Sequence, residues 1–214
     1  MSWSREAMAA RIAADIAPDW IINLGIGLPT LVAGYLTNPG ILVHAENGIL
    51  GVGPRPPEGF EDPDLVDPGK HPVTVVPGAA YMDSLMSFGL IRGGHLDLAV
   101  MGAYQVSQEG DLANWRLPGR RTGGIGGAAD LAAGANRVWI AMQHTSKEGE
   151  PKLVKRCAYP LTARGVVSRV YTDLCVLEVQ ADGLKLMDLA PGVSIDDVRT
   201  ATEVGVIDAG GGAG

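Results

Sequence analysis

Glu46 is the residue of this chain best placed to do chemistry. It follows the apolar run Ile41-Leu42-Val43-His44-Ala45, which reads as a buried strand. It precedes Asn47-Gly48, a pair that tolerates φ > 0 and marks a tight turn. Gly51, Gly53 and Pro54 then keep the backbone slim and bent. In an open α/β sheet, ligands bind outside the carboxyl ends of the strands. Glu46 therefore either faces a ligand there or solvates a strand end. Two glycine runs offer partners for it. Gly25-x-Gly27-x-x-Thr30 follows a strand and opens a helix, and Gly124-x-Gly126-x-x-Ala129 leads into another. Neither is a dinucleotide fingerprint. The first has Thr in the third position, the second lacks a preceding strand, and neither has a ribose-binding acid about 20 residues on. A glycine loop entering a helix still presents free N–H groups to an anion, which makes Gly126 and Gly127 candidate oxyanion or phosphate donors; the alternative is a plain tight turn.

Other reaction chemistries find less support. Cys157 and Cys175 form no Cys-x-x-Cys pair and have no His at zinc-site spacing, so they read as two buried thiols. His95, in Arg92-Gly93-Gly94-His95-Leu96-Asp97, lacks further metal ligands and reads as a hydrogen-bonded structural residue. No Gly-x-Ser-x-Gly elbow exists, and Gly69-Lys70 lacks the upstream Gly and the following Ser/Thr of a phosphate-binding loop. Asp111-Leu112-Ala113-Asn114-Trp115 reads as a turn with a half-buried Trp that also suits a pocket wall.

The elements that must position Glu46 follow from periodicity. Met8, Ile12 and Ile16 form one stripe of a helix over residues 4–16. Trp20–Leu24 is a strand, Pro29 sits in the first turn of a helix running to Leu36, and residues 41–45 are the next strand. This βαβ order builds a parallel sheet. Residues 54–72 carry no period and read as a long surface loop. A strand follows at Val73–Val76, then a helix over Ser84–Ile91 broken by Gly89, and a strand over Leu96–Met101. A glycine loop over residues 119–127 precedes a helix at Ala128–Ala133 and a strand at Val138–Met142. Three strands joined by short turns close the chain (Val166–Tyr171, Leu174–Val179, Leu184–Leu189), with a capped helix at Ser194-Ile195-Asp196-Asp197. The fold class is α/β: an open, mostly parallel sheet flanked by helices, with an antiparallel C-terminal strand group. The chain reads as a single domain over residues 1–214, with a disordered tail from about residue 205.

Composition narrows the function classes. The 214 residues carry a formal charge of −7, which argues against nucleic acid as a partner, since only Arg116, Arg120 and Arg121 cluster. Aromatic residues make up 5%, too few for a base-stacking platform. No apolar run approaches the ~20 residues that span a bilayer. The first residues show no basic flank leading into an apolar core, so a cytoplasmic location is expected.

Taken together, the segments resemble a known family. Asn23-Leu24-Gly25-Ile26-Gly27-x-Pro29, Glu46-Asn47-Gly48-Ile49-Leu50-Gly51-x-Gly53-Pro54, Arg92-Gly93-Gly94-His95, Gln105-Val106-Ser107, Gly110-Asp111-Leu112-Ala113-Asn114-Trp115 and Gly126-Gly127-Ala128 fall in the order seen in the B-subunits of 3-oxoacid CoA-transferases, the type I CoA-transferases. The resemblance covers residues 5 to about 200.

By that resemblance Glu46 matches the catalytic glutamate, and Gly127 matches a glycine whose amide helps form the oxyanion hole. Lys70 matches a lysine near the active-site mouth. Asn23, Gly25, Gly27, Asn47, Gly48 and Gly126 fall in the motifs around substrate and CoA. The implied reaction moves CoA from succinyl-CoA to a 3-oxoacid through a glutamyl-CoA thioester. It needs no cofactor and no metal, because the CoA thioester is itself a substrate. A carboxylate attacks without a general base. The implied partner is the CoA-transferase A-subunit, in an α2β2 heterotetramer, and it carries most of the CoA-binding motif. Thr30–Leu36 and Ser168–Leu174 look closer to the 3-oxoadipate branch than to the acetoacetate one. Ala45, Arg55 and Ala129 stand where Ser, Tyr and Met are usual, and the first and third border the expected site. Two alternatives belong to other classes: a thioester hydrolase using Glu46 as base, and a non-catalytic protein for CoA binding or assembly.

Overall fold

The computed structural model describes residues 2–119 and 124–208. Helix α1 (Arg5–Asp15) begins at Ser4, whose hydroxyl accepts the Ala7 N–H at 3.1 Å, and it buries Met8, Ala9 and Ile12. Strand β1 (Ile21–Leu24) leads into a 3₁₀ helix (Pro29–Tyr35) where the sequence suggested an α-helix. Strand β2 (Leu42–Ala45) follows, then β3 (Ile49–Val52) and β4 (Val75–Tyr81). Helix α2 (Ser84–Arg92) runs through Gly89 without a break and is capped by Asp83. Next come β5 (Leu98–Met101), the short strands β6 (Gln105–Ser107) and β7 (Leu112–Ala113), α3 (Ala128–Gly134), β8 (Val138–Ala141) and β9 (Leu153–Val154). The C-terminal part holds β10 (Val167–Tyr171), β11 (Cys175–Gln180), β12 (Gly183–Leu189), α4 (Ile195–Thr200) and β13 (Val206–Asp208).

Ten strands form one sheet in the order β13-β12-β11-β10-β8-β5-β1-β2-β3-β4, and β7-β6-β9 form a small second sheet. The middle of the large sheet, β10-β8-β5-β1-β2, is parallel throughout. Antiparallel strands flank it on both sides: β3 and β4 beyond β2, and β11 and β12 beyond β10. The expected C-terminal antiparallel group is present. The antiparallel β2–β3–β4 group was not anticipated. Its strand β3 holds Gly51 at φ +93 in a register shift against Ala79, so a glycine that looked like a turn lies inside a bulged strand.

All four residues of β5 and of β8 are buried, as expected for strands covered on two faces. Alternation sends Ala99, Met101, Val138 and Ile140 to one core, with Ile91 of α2 and Leu131 of α3. Leu98, Val100, Trp139 and Ala141 go to the other, with Ile12 of α1 and Val32 of the 3₁₀ helix. The expected disordered tail needs correcting at its start. Val206–Asp208 pair in parallel with Leu184–Leu186, and the rest of that tail lies outside the described residues. So do Arg120 and Arg121, two of the three arginines in the expected basic cluster.

The chain order places the functional edge. After β1 the chain adds β2 on one side, and it later fills β5, β8 and β10 on the other. The β1/β5 boundary is therefore the switch point of the parallel sheet, where the connections leaving the strand ends diverge and open a crevice.

Candidate active site

A cleft of about 710 Å³ lies at that crevice. It is bordered by Gly25, Ile26 and Leu28 after β1, by Glu46 after β2, by Met101–Tyr104 after β5 and by Ala141–Gln143 after β8. Gly124–Ala128 and Leu131 at the start of α3 close one wall, with Asn114 and Trp115 beside them. Arg5, Pro68 and Lys152 complete the rim.

Glu46 stands in a three-residue connection between the paired residues Ala45 and Ile49. The Gly48 N–H closes this turn on Ala45 O at 2.9 Å. Gly48 has φ +118, and a Cβ there would collide with the Met82 carbonyl, so both backbone shape and close approach require glycine. The Glu46 side chain is then fixed from β1. Asn23, which is 1% exposed and in register with His44, donates from Nδ2 to Glu46 Oε2 at 3.1 Å and to His44 O at 3.1 Å. Asn23 Oδ1 is buried without a partner. The amide is thus oriented by its duty to Glu46 at the expense of its own oxygen.

A second set of bonds fixes the Glu46 backbone. Ser87 Oγ of α2 donates to Glu46 O at 2.9 Å and accepts from His44 Nε2 at 2.9 Å. Asn23 Nδ2, an amide donor, faces His44 Nδ1 at 3.4 Å, so the ring carries its proton on Nε2 and is neutral. Burial keeps it so by lowering its pKa, against the opposing pull of Glu46.

Gly127 comes close to this carboxylate. A Cβ on Gly127 would lie 3.7 Å from Glu46 Cγ and 3.3 Å from Phe88 Cζ. Gly127 has φ −76, so its dihedral does not demand glycine; a methyl there would press on the Phe88 ring and touch Glu46. Gly126 has φ +57 with open space around it, so there the backbone shape favours glycine.

The structure thus brings Asn23, Gly25, Glu46, Gly126 and Gly127 to one place. It puts the other candidates elsewhere. Gly27, at φ +104, is exposed and outside the cleft lining, and so is Lys70, at φ +63. Pro68, rather than Lys70, is the residue of that loop that reaches the rim. Asn47 is exposed and ties the loop down by donating to Val66 O at 2.8 Å. Gly48 shapes the turn rather than lining the cleft. His95 is exposed and outside the cleft lining, and Cys157, expected to be buried, is only half-buried. Burial raises the thiol pKa of Cys157 to about 11 and of Cys175 to about 12, so neither is a ready nucleophile.

Sequence reasoning gave no functional role to His44, Ser87 or Lys152. His44 precedes Glu46 by two positions, the spacing of one strand face, and that was a usable signal. Ser87 and Lys152 arrive through tertiary structure from 41 and 106 residues further along, without a local pattern. Among the described residues, no three His, Cys, Asp or Glu side chains are grouped to hold a metal, and no helix is long and apolar enough to cross a membrane.

Comparison with known proteins gives concordant likenesses. The family model described as Coenzyme A transferase matches residues 5–201. The chain is 49% identical over 205 residues to the B-subunit of the 3-oxoadipate CoA-transferase of Pseudomonas putida, covering 95% of this chain and 96% of that one. It is 49% identical over 199 residues to the B-subunit of the succinyl-CoA:3-ketoacid coenzyme A transferase of Helicobacter pylori, covering 93% and 96%. Among solved structures, the acyl-CoA transferase apoenzyme of Escherichia coli O157:H7 superimposes with a TM-score of 0.77 at 18% identity. That match covers 97% of this chain, which spans only 42% of the longer one, and it speaks to the fold alone.

Proposed function

The chain belongs to the coenzyme A transferase family, and from that premise we propose that Glu46 is the nucleophile that carries CoA from succinyl-CoA to a 3-oxoacid. The observation that carries this reading is the placement of Glu46. Asn23 holds one carboxylate oxygen at the sheet's switch point, and Gly127 lies against the Glu46 side chain. In the first step a Glu46 carboxylate oxygen attacks the thioester carbonyl of succinyl-CoA. The tetrahedral oxyanion collapses, CoA thiolate departs, and a succinyl–glutamyl anhydride remains. The thiolate then attacks the Glu46 carbonyl and expels succinate, leaving the glutamyl-CoA thioester. The 3-oxoacid carboxylate attacks that thioester and the thiolate leaves again. It returns to the acyl carbonyl of the second anhydride, which releases 3-oxoacyl-CoA and the free Glu46 carboxylate.

Each tetrahedral stage places negative charge on a former carbonyl oxygen. A preorganised N–H donor there lowers the barrier by ~3 kcal/mol, and the Gly127 N–H is assigned that role. Asn23 aims the nucleophile. His44, held neutral, adds no cation to weaken it.

The same reading takes the CoA-transferase A-subunit as the partner, in an α2β2 heterotetramer. This chain supplies the nucleophile, and the partner supplies most of the CoA contacts. The B-subunit designation of both relatives supports it. The favoured acceptor is 3-oxoadipate rather than acetoacetate. The test uses the isolated chain and the assembled pair, each incubated with succinyl-CoA and no acceptor, trapped with hydroxylamine, and peptide-mapped. The expected result is an adduct on Glu46 in the pair and none in Glu46→Gln; with a 3-oxoacid added, the pair turns over and the isolated chain does not. Modification elsewhere, or near-normal turnover by Glu46→Gln, overturns the assignment. Steady thioester loss without an acceptor would make the protein a hydrolase.

A further inference from the structure

Three charged side chains among the described residues border the cleft: Glu46, Arg5 at the exposed start of α1, and Lys152. Lys152 is the unusual one. Its amide donates to His144 O at 3.3 Å, which lays it alongside the chain leaving β8, opposite the wall that holds Glu46. Among the described residues no carboxylate forms an ion pair with its ammonium. The half-buried arginines Arg11 and Arg169, in contrast, pair with Asp15, Asp188 and Glu178. Asp173 is near enough to be felt, but it accepts the His144 N–H at 2.7 Å instead. Burial accordingly lowers the Lys152 pKa to about 8. A half-buried cation at a cleft wall, with Asp173 felt but no ion pair among the described residues, leaves room for the counter-charge of a ligand.

The sheet sets the distance. Glu46 leaves β2 and Gln143 leaves β8, and these strands are separated by β1 and β5. Three strand spacings are about 14 Å, and Glu46 and Lys152 both line the cleft that opens over this span. A short acyl chain fits within it. One end of that chain is the thioester carbonyl at Glu46, so the end that meets Lys152 must be the anionic one.

We propose that Lys152 is the counter-ion for the distal carboxylate of a dicarboxylic acyl group, and so selects diacids over monoacids in both halves of the transfer. This rests on Glu46 being the acyl-receiving residue. It means that the free carboxylate of succinyl-CoA and that of a six-carbon 3-oxo diacid share one cationic contact. Acids that end in a methyl group leave Lys152 without its counter-charge.

The test compares the wild-type pair with Lys152→Met, which keeps the stem length, and Lys152→Arg, which keeps the charge. Two measurements are made on the assembled protein. Calorimetry follows binding of adipate against hexanoate, which differ only in the distal carboxylate. Steady-state kinetics compare 3-oxoadipate with 3-oxohexanoate at saturating succinyl-CoA. A charge-assisted contact of this kind is worth about a tenfold to hundredfold preference. Wild type is expected to favour adipate by that factor, Lys152→Met to bind both acids alike, and Lys152→Arg to recover much of the preference. The kinetic loss in Lys152→Met should appear as a raised KM for 3-oxoadipate, with 3-oxohexanoate unchanged. Equal losses for both acids would place Lys152 against the phosphates of CoA or in a structural role and overturn the proposal, as would no loss at all. The calorimetric arm does not depend on covalent chemistry. A retained diacid preference with no Glu46 adduct would therefore refute the nucleophile and leave the carboxylate contact standing.

Discussion

Gly127 separates two kinds of reason for a glycine. At φ −76 an alanine is conformationally free there, so backbone strain gives no cause for glycine. An added methyl would meet the Phe88 ring at 3.3 Å and Glu46 Cγ at 3.7 Å. The ring can give by a few tenths of an ångström, whereas the carboxylate is held by Asn23 and has one productive position. Gly127→Ala is therefore expected to move the melting midpoint by no more than a few degrees. The rate of Glu46 adduct formation should fall by ~10²-fold, the cost of misplacing one oxyanion donor. Both quantities are measured on one preparation. A lowered midpoint with an unchanged adduct rate would make Gly127 a packing residue and move the oxyanion donors to the partner chain. Asn23 gives the matching lesson from the other side, because its unpartnered buried Oδ1 is a local cost tolerated where its Nδ2 holds the Glu46 carboxylate.

The β2–β3 hairpin holds Glu46, and its geometry was only half legible in the sequence. The apolar run to Ala45, the Asn47-Gly48 turn and the parallel β1-β2 unit could all be read from residue type and spacing. Strand β3 could not, because Gly51, Gly53 and Pro54 carry the composition of a turn. Only the pairing with β4 turns Ile49–Val52 into a bulged strand. Strand β4 was hidden in part for the same reason, since Pro77 and Gly78 interrupt its pattern. The 3₁₀ helix at Pro29 resembled an α-helix because three-residue and four-residue periods diverge little over seven residues. Lys152 was invisible because no short-range rule links it to Glu46. The hairpin has its own test at Gly48, where φ +118 and the Met82 carbonyl both exclude a side chain. Gly48→Ala is expected to cost at least ~1–3 kcal/mol from the dihedral alone, with the steric conflict adding to it. Urea unfolding should show a lower midpoint, and adduct formation should fall with it as the turn shifts. An unchanged midpoint would mean that the turn relaxes freely and that Glu46 is not rigidly presented.

At the scale of the whole molecule, two buried histidines make stability depend on pH. His144 is 1% exposed and joins three parts of the C-terminal half. Thr202 Oγ1 donates to Val198 O at 2.6 Å, so it accepts from His144 Nε2 at 2.8 Å. Thr172 Oγ1 accepts the N–H groups of Leu174 and Cys175, and its one proton lies between His144 Nδ1 at 2.9 Å and Cys175 O at 3.2 Å. The neutral ring protonated on Nε2 satisfies both hydroxyls, and burial favours that form. Desolvation lowers the His144 pKa to about 4, and it also lowers that of His44 beside Glu46. The unfolded chain, with histidines near their ordinary 6.5, binds protons that the folded chain refuses. Stability therefore rises with pH between about 4 and 6.5 and is lost as pH falls through that window. For His144 alone the loss reaches about 2 kcal/mol by pH 5, above the range where unfolded Asp and Glu titrate. Urea unfolding at pH 7.5, 6 and 5 is expected to show this decline. His144→Gln should be less stable at pH 7.5 and should lose less on acidification, the remaining slope belonging to His44. A wild-type midpoint that stays flat from pH 7.5 to 5 would mean that both rings accept a proton in place, and the neutral networks around Glu46 and Thr202 would have to be redrawn.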